Sequence, residues 1–270
     1  MAENSKISWT THTLNCWSGC TKVHEGCTHC YAETLSKRWG NDVWGNDKPR
    51  KEVKSAWNDL IKFQKKAEEA NEIHRVFIGS MMDIFEKPMP LINSKGEKLD
   101  ETTGDLRDHF FKNICNAPNL LFLLLTKRPS NINKYIPEDW KLNPPHNVMF
   151  GTSPVNQETA NTLIPQLLKV NGKRFLSIEP QLGYINITEA CKTSVIAKGF
   201  SYLEYEQIHW VINGGESGHN RRPFNLEWAR SLRDQCKSAN VPYFFKQIDK
   251  VIDKEFGIPE DLQIQEFPVI

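Results

Sequence analysis

The chain has 270 residues, with 34 Lys plus Arg against 33 Asp plus Glu, 39% hydrophobic residues and 25% charged ones. That composition suits a globular protein and excludes a global field that would draw the chain to nucleic acid or an anionic membrane. Residues 1–10 lack the apolar core of a signal peptide, and the longest apolar run, residues 120–125, is too short to span a bilayer. A cytoplasmic protein without membrane association is therefore expected.

In chain order, residues 7–10 read as a first short strand, followed by a cysteine-rich segment. Residues 40–50 are rich in Asn, Asp, Gly and Lys and read as a loop-like insertion. Residues 53–70 place Val53, Trp57, Leu60 and Ile61 at helical spacing, with Lys and Glu opposite. A strand over 75–80 and a second loop-like insertion over 88–104 follow. Leu106, Phe110 and Ile114 repeat the helical spacing, and further strands are expected at 120–126 and 148–153. After them come a short helix over 162–170 and strands at 174–179 and 209–214. Asn225 reads as the N-cap of a helix carrying Leu226, Ala229, Leu232 and Cys236. A last strand over 242–247 precedes a segment, 251–270, without a motif.

Most of these strands are apolar without alternation, as in a parallel sheet covered on both faces. Strand and helix alternate along the chain. The expected fold is α/β, a partial (β/α) barrel of about six to seven parallel strands, forming a single domain over 1–270. Polar residues gather at the C-terminal ends of the strands, where such barrels build active sites. They are Gly79-Ser80-Met81-Met82-Asp83, Thr126-Lys127-Arg128, Gly151-Thr152-Ser153, Ser177-Ile178-Glu179 and Gly214-Gly215-Glu216-Ser217-Gly218.

Four of the seven cysteines fall at positions 16, 20, 27 and 30, a C-x3-C-x6-C-x2-C pattern. Cys115, Cys191 and Cys236 are scattered, and Cys236 is expected in the core. Thiolates suit iron–sulfur centres and zinc alike. Cys20, Cys27 and Cys30 on a four-iron cluster would leave one iron open for a substrate, whereas all four thiolates would close a tetrahedral zinc site. His12, His24 and His29 are further candidate ligands, and the spacing leaves both options standing.

Several blocks of sequence carry a resemblance. They include Ile7-Ser8-Trp9-Thr10, Gly19-Cys20-Thr21-Lys22-Val23, Gly26-Cys27-Thr28-His29-Cys30-Tyr31-Ala32-Glu33 and Phe77-Ile78-Gly79-Ser80-Met81. Leu125-Thr126-Lys127-Arg128-Pro129, Arg174-Phe175-Leu176-Ser177-Ile178-Glu179-Pro180, residues 210–218 and Phe244-Phe245-Lys246-Gln247 complete the set. In this order they resemble a phage-associated, three-cysteine-motif family of proteins distantly related to the radical S-adenosylmethionine enzymes. The cysteine spacing is wider than the C-x3-C-x2-C of ordinary radical enzymes, and Cys16 stands outside the three-cysteine pattern.

The resemblance implies a radical-SAM-like fold, a 4Fe-4S cluster on Cys20, Cys27 and Cys30, and S-adenosylmethionine as cofactor. An electron donor of flavodoxin or ferredoxin type would supply the reduction. On this reading Gly79, Ser80 and Asp83 accept the cofactor's ammonium, and Lys127 or Arg128 takes its carboxylate. Ser153, Asn156 and Glu179 suit the ribose, and Gly214 and Gly215 allow close backbone approach to a ligand. Glu179, Glu216 and Lys246 are the catalytic candidates, with Gln247 facing the same cavity. Plainer roles are a strand-to-loop turn for Gly214-Gly215, solvated charges for Lys127 and Arg128, and a salt bridge for Glu179.

Lys37-Arg38-Trp39, Trp44, Lys48, Arg50 and Lys51 interleave cations with aromatics, and Arg221 and Arg222 follow the glycine motif. Cations neutralise phosphates and Trp stacks on unpaired bases, so a nucleotide or nucleic-acid substrate is expected, modified or repaired at a base. A small metabolite and a partner protein are the other candidates. The competing class is a non-catalytic zinc-binding module on Cys16, Cys20, Cys27 and Cys30 that binds nucleic acid or a partner.

Overall fold

A computed structural model describes residues 3–195, 208–218 and 220–269. The chain divides into two compact units, Met1–Met149 and Phe150–Ile270. The first contains, in order, β1 (His12–Leu14), β2 (Trp17–Ser18), α1 (Tyr31–Arg38), β3 (Arg50–Glu52), α2 (Ala56–Ala70), β4 (His74–Ile78), β5 (Pro90–Ile92) and β6 (Lys98–Thr102). It continues with α3 (Thr103–Ile114), β7 (Leu120–Thr126) and α4 (Ile132–Tyr135). From the division onward come β8 (Val148–Thr152), α5 (Gln157–Leu167), β9 (Lys173–Ile178), α6 (Ile187–Val195), β10 (Trp210–Gly214), α7 (Leu226–Ser238), β11 (Tyr243–Gln247) and α8 (Lys250–Glu255).

The fold is α/β. Seven strands form one sheet in the order β1-β4-β7-β8-β9-β10-β11, the arrangement of a partial (β/α) barrel, and β2-β3-β5-β6 form a second, smaller sheet.

In the first unit β4 is the hub, parallel to β1 with His12 opposite Val76 and to β7 with His74 opposite Leu120. Leu120, Leu121, Phe122, Leu123 and Leu124 are all fully buried, which is why β7 shows no polar alternation. The inner face of α2 is Ala56, Leu60, Phe63 and Ala67, and Asn71 ends the helix in the left-handed region at φ 53°. Thr102 and Asp105 form a capping box that starts α3. In the second unit β10 is parallel to β9 and β11, with Trp210 opposite Phe175 and Val211 opposite Tyr243. Asn225 caps α7, accepting from the Glu227 amide at 2.9 Å, and Cys236 is fully buried as expected.

Four expectations need correction. The first strand is His12–Leu14 rather than 7–10, because His12 is buried although polar, stacked on Phe63 and 3.0 Å from the His74 ring nitrogen. The segments read as loops supply strands: β3 begins at Arg50, and β5 and β6 lie within 90–102, held by pairing in the second sheet. Ile61 is 69% exposed and faces away from the core. The helix expected at 162–170 starts at Gln157, since Asn156 and Thr159 cap it. Among the described residues no helix is long and apolar enough to cross a membrane.

Candidate functional site

The cysteine loop follows β2. All seven cysteines are free, and Cys20, Cys27 and Cys30 are half-buried. Cys27 closes a 3-10 turn begun by His24, whose Nδ1 accepts from the Gly26 amide at 3.1 Å. Cys30 is the N-cap of α1 but makes no capping hydrogen bond through its side chain, so its sulfur stays available. Cys16 is different: it is 1% exposed, and burial pushes its thiol far up. His12 faces the α2–β4 core with Phe63 and His74, away from ligand duty.

A buried guanidinium holds this loop in place. Arg50 donates from Nε and Nη2 to the two Glu86 oxygens at 2.9 and 2.7 Å. Its Nη1 serves the carbonyls of Val43, Gly45 and Lys48, and Nη2 also reaches Thr21 Oγ1 at 2.8 Å. One side chain thus ties residues 43–48 to the residue after Cys20. Gly19 lies under it at φ +119°, where a Cβ would stand 2.3 Å from the Val43 oxygen.

Next to Cys20 sit the ends of β4 and β7. Asp83 accepts from Thr126 Oγ1 at 2.7 Å, the Lys127 amide at 3.2 Å, the Phe85 amide at 3.0 Å and Arg128 Nη1 at 2.7 Å. Arg128 Nη1 is also 3.7 Å from Cys20 Sγ, and Nη2 donates to the Thr21 carbonyl at 2.6 Å. Burial and the Asp83 charge push the Cys20 thiol up to about 12, against the pull of Arg128. The acidic neighbours hold Arg128 firmly charged despite its burial.

The Lys127 ammonium, unlike the Arg128 guanidinium, has no acidic partner among the described residues. Burial, together with the charges of Lys127 and Arg128, pulls His24 down to about 4. The His24 Nε2 is buried and has no hydrogen-bond partner. Beyond β4, Gly79 turns the chain at φ +111° into Ser80, whose hydroxyl accepts from Asn15 Nδ2 at 2.7 Å. Tyr31 donates to the Ser80 carbonyl at 2.8 Å.

The second unit gathers its own polar set. Lys246 Nζ is 2.7 Å from Glu179 Oε1, and Ser177 donates to the other Glu179 oxygen at 3.1 Å. A Cβ on Gly214 would come within 3.3 Å of that carboxylate, and one on Gly215 would meet the Ile248 carbonyl at 2.0 Å. Glu216 is buried and forked by Arg222, with Nη2 at 2.5 Å and Nε at 3.1 Å. Gln247 donates to Ser217 Oγ at 2.9 Å. The Ser153 hydroxyl is buried without a partner. Asn156 is occupied as the α5 cap, accepting from the Thr159 amide at 2.9 Å. Below these, Asn213 links Gln181 at 2.8 Å and the Tyr243 hydroxyl at 2.9 Å.

The expected basic stretch is largely neutralised. Arg50 is fully buried on Glu86, Lys48 pairs with Asp42, Lys37 with Glu33 and Lys51 with Asn41. Arg221 and Arg222 pair with Asp249 and Glu216. Arg38 and Lys37 stay exposed beside two aromatic rings, Trp39 at 61% and Tyr31 at 44%. Glu86, Asn15, Gln181 and Asn213 are site residues that sequence reading missed. Only their polar character amid apolar strand ends could have singled them out.

Among the described residues no three His, Cys, Asp or Glu side chains stand together as one ion requires. No curated protein and no solved structure gives a significant match to the chain. A family model described as "Protein of unknown function (DUF5131)" matches residues 4–258, nearly the whole sequence, and the chain belongs to that family.

Proposed function

We propose that this protein is a radical S-adenosylmethionine enzyme holding a 4Fe-4S cluster on Cys20, Cys27 and Cys30, and that it modifies or repairs a nucleotide or nucleic-acid base. One observation carries the reading: three free, half-buried thiols share a loop whose first sulfur meets the cationic end of β7. Their chemistry fits the group. Soft thiolates favour iron–sulfur centres, and three of them leave one iron open. The Cys20 thiol, pushed up by burial and by Asp83, would bind metal as the thiolate and release its proton.

Cys20, Cys27 and Cys30 would hold the cluster, which, reduced by a flavodoxin- or ferredoxin-type donor, would supply the one electron needed to cleave S-adenosylmethionine reductively. Lys127, whose ammonium has no acidic partner among the described residues, would hold the methionine carboxylate. Ser80 and the backbone after Gly79 take the ammonium, since both Asp83 oxygens already accept several donors. The second unit offers its own groups to hold a ligand or move a proton: the Ser153 hydroxyl, the Glu179–Lys246 pair and Glu216 on Arg222.

The nucleotide part rests on the exposed Trp39 and Tyr31 rings, which offer stacking faces, rather than on a basic field. Seven free thiols suit a reducing, cytoplasmic compartment. The test is an anaerobic assay of the reconstituted chain with dithionite and S-adenosylmethionine, reading 5′-deoxyadenosine by mass spectrometry. Product should vanish in Cys20→Ala and persist in Cys16→Ala. No product, together with a tightly bound zinc lost in Cys16→Ala, would sink the proposal in favour of a zinc module.

A further inference from the structure

Lys127 and Arg128 are adjacent cations at one strand end, yet their surroundings give them different work. Taking Cys20 as a cluster ligand, as proposed above, we infer that Arg128 is a positioning residue that hydrogen-bonds the Cys20 thiolate and raises the reduction potential of the cluster, and that it does not bind the cofactor's carboxylate.

The argument starts from the guanidinium fork. Nη1 donates to Asp83 at 2.7 Å and stands 3.7 Å from Cys20 Sγ, while Nη2 donates to the Thr21 carbonyl at 2.6 Å and lies 3.5 Å from Glu86. The planar group is fixed on both arms, and its side chain is only 13% exposed. Swinging out to a ligand would leave the buried Asp83 without its cation and the Thr21 carbonyl without its donor. Asp83 and Glu86 offset the positive charge, so what reaches the sulfur is a directed N–H···S bond more than a net field.

Hydrogen bonds to the sulfurs are among the levers that set the potential of an iron–sulfur centre. Reduction adds one electron and no proton, and part of the added charge falls on the thiolates. A more negative sulfur accepts the Arg128 bond more strongly, so the bond favours the reduced form. Losing it disfavours reduction.

The experiment is an anaerobic redox titration of the reconstituted full-length chain, with dithionite as reductant and the EPR signal of the reduced cluster as readout. Wild type is compared with Arg128→Met, which has no donor, and Arg128→Lys, which keeps the charge but loses the fork. Arg128→Met should carry the same iron and sulfide as wild type but be about tenfold harder to reduce, a fall of about 59 mV for a one-electron couple. Arg128→Lys should fall between the two, and it serves as the test if Arg128→Met does not fold. Wild-type potential in a fully loaded Arg128→Lys and Arg128→Met would overturn the inference while leaving the cluster in place. A wild-type chain that takes up no cluster would overturn the underlying reading instead.

Discussion

The Glu86 carboxylate meets the Arg50 guanidinium in a two-point fork, Oε2 to Nε at 2.9 Å and Oε1 to Nη2 at 2.7 Å, with the two side chains 2% and 0% exposed. Removing one member of such a buried pair strands the other charge. Arg50→Met should therefore cost about 3–5 kcal/mol of stability. Arg50→Lys should recover little of it, because an ammonium cannot serve Glu86 and three loop carbonyls at once. Denaturant unfolding of the two variants reads this, and a loss below about 1 kcal/mol in both would show that Arg50 is not the strut of the cysteine loop.

Gly19 sits one residue before Cys20 and combines a positive φ with a close approach to the Val43 carbonyl. Gly19→Ala must adopt a backbone region costing about 1–3 kcal/mol and also displace residue 43. A lowered unfolding midpoint and weaker metal uptake are expected together. Unchanged metal uptake in a destabilised Gly19→Ala chain would separate the loop's stability from its ligand geometry.

Much of the fold was legible before the structure. β7 reads as a strand because six apolar residues run without alternation, and Asn225 reads as a cap because it precedes an amphipathic run. The smaller sheet was not legible. Its strands are two to five residues long, and Arg50–Glu52 and Lys98–Thr102 are as polar as loops, so only pairing between distant segments makes them strands. Arg50 was misread as a phosphate contact because composition cannot tell a solvated cation from a buried one. Its partner Glu86 lies 36 residues away in a segment with no periodic signal. The salt bridge considered for Glu179 is present, with Lys246, another strand-end residue that the sequence singled out.

Gly215 tests the second unit separately. An added Cβ would stand 2.0 Å from the Ile248 carbonyl, a backbone atom that cannot rotate away. Gly215→Ala should break the β10–β11 edge and reduce the yield of folded protein. A folded variant with wild-type thermal stability would mean that this edge can open freely.

Burial, and then the nearby His74, pull His12 from 6.5 down to about 4. The unfolded chain binds this proton more readily, so stability should rise with pH between about 4 and 6.5. The contribution is complete above that window and lost as pH falls through it, with a slope of up to ~1.4 kcal/mol per pH unit. Unfolding free energies measured across this range should rise less steeply in His12→Gln than in wild type, the remaining slope coming from groups such as His24, which is lowered over the same window. Parallel curves for the two proteins would exclude His12 as a contributor.

The central claim is a cluster held by three thiolates, and metal content tests it most directly. The full-length chain, purified without oxygen and reconstituted with iron and sulfide, should be brown and carry about four iron and four sulfide per chain. Cys20→Ala, Cys27→Ala and Cys30→Ala should each lose them, whereas Cys16→Ala should keep them. A colourless protein holding one zinc, equally dependent on Cys16 and the other three cysteines, would contradict the account.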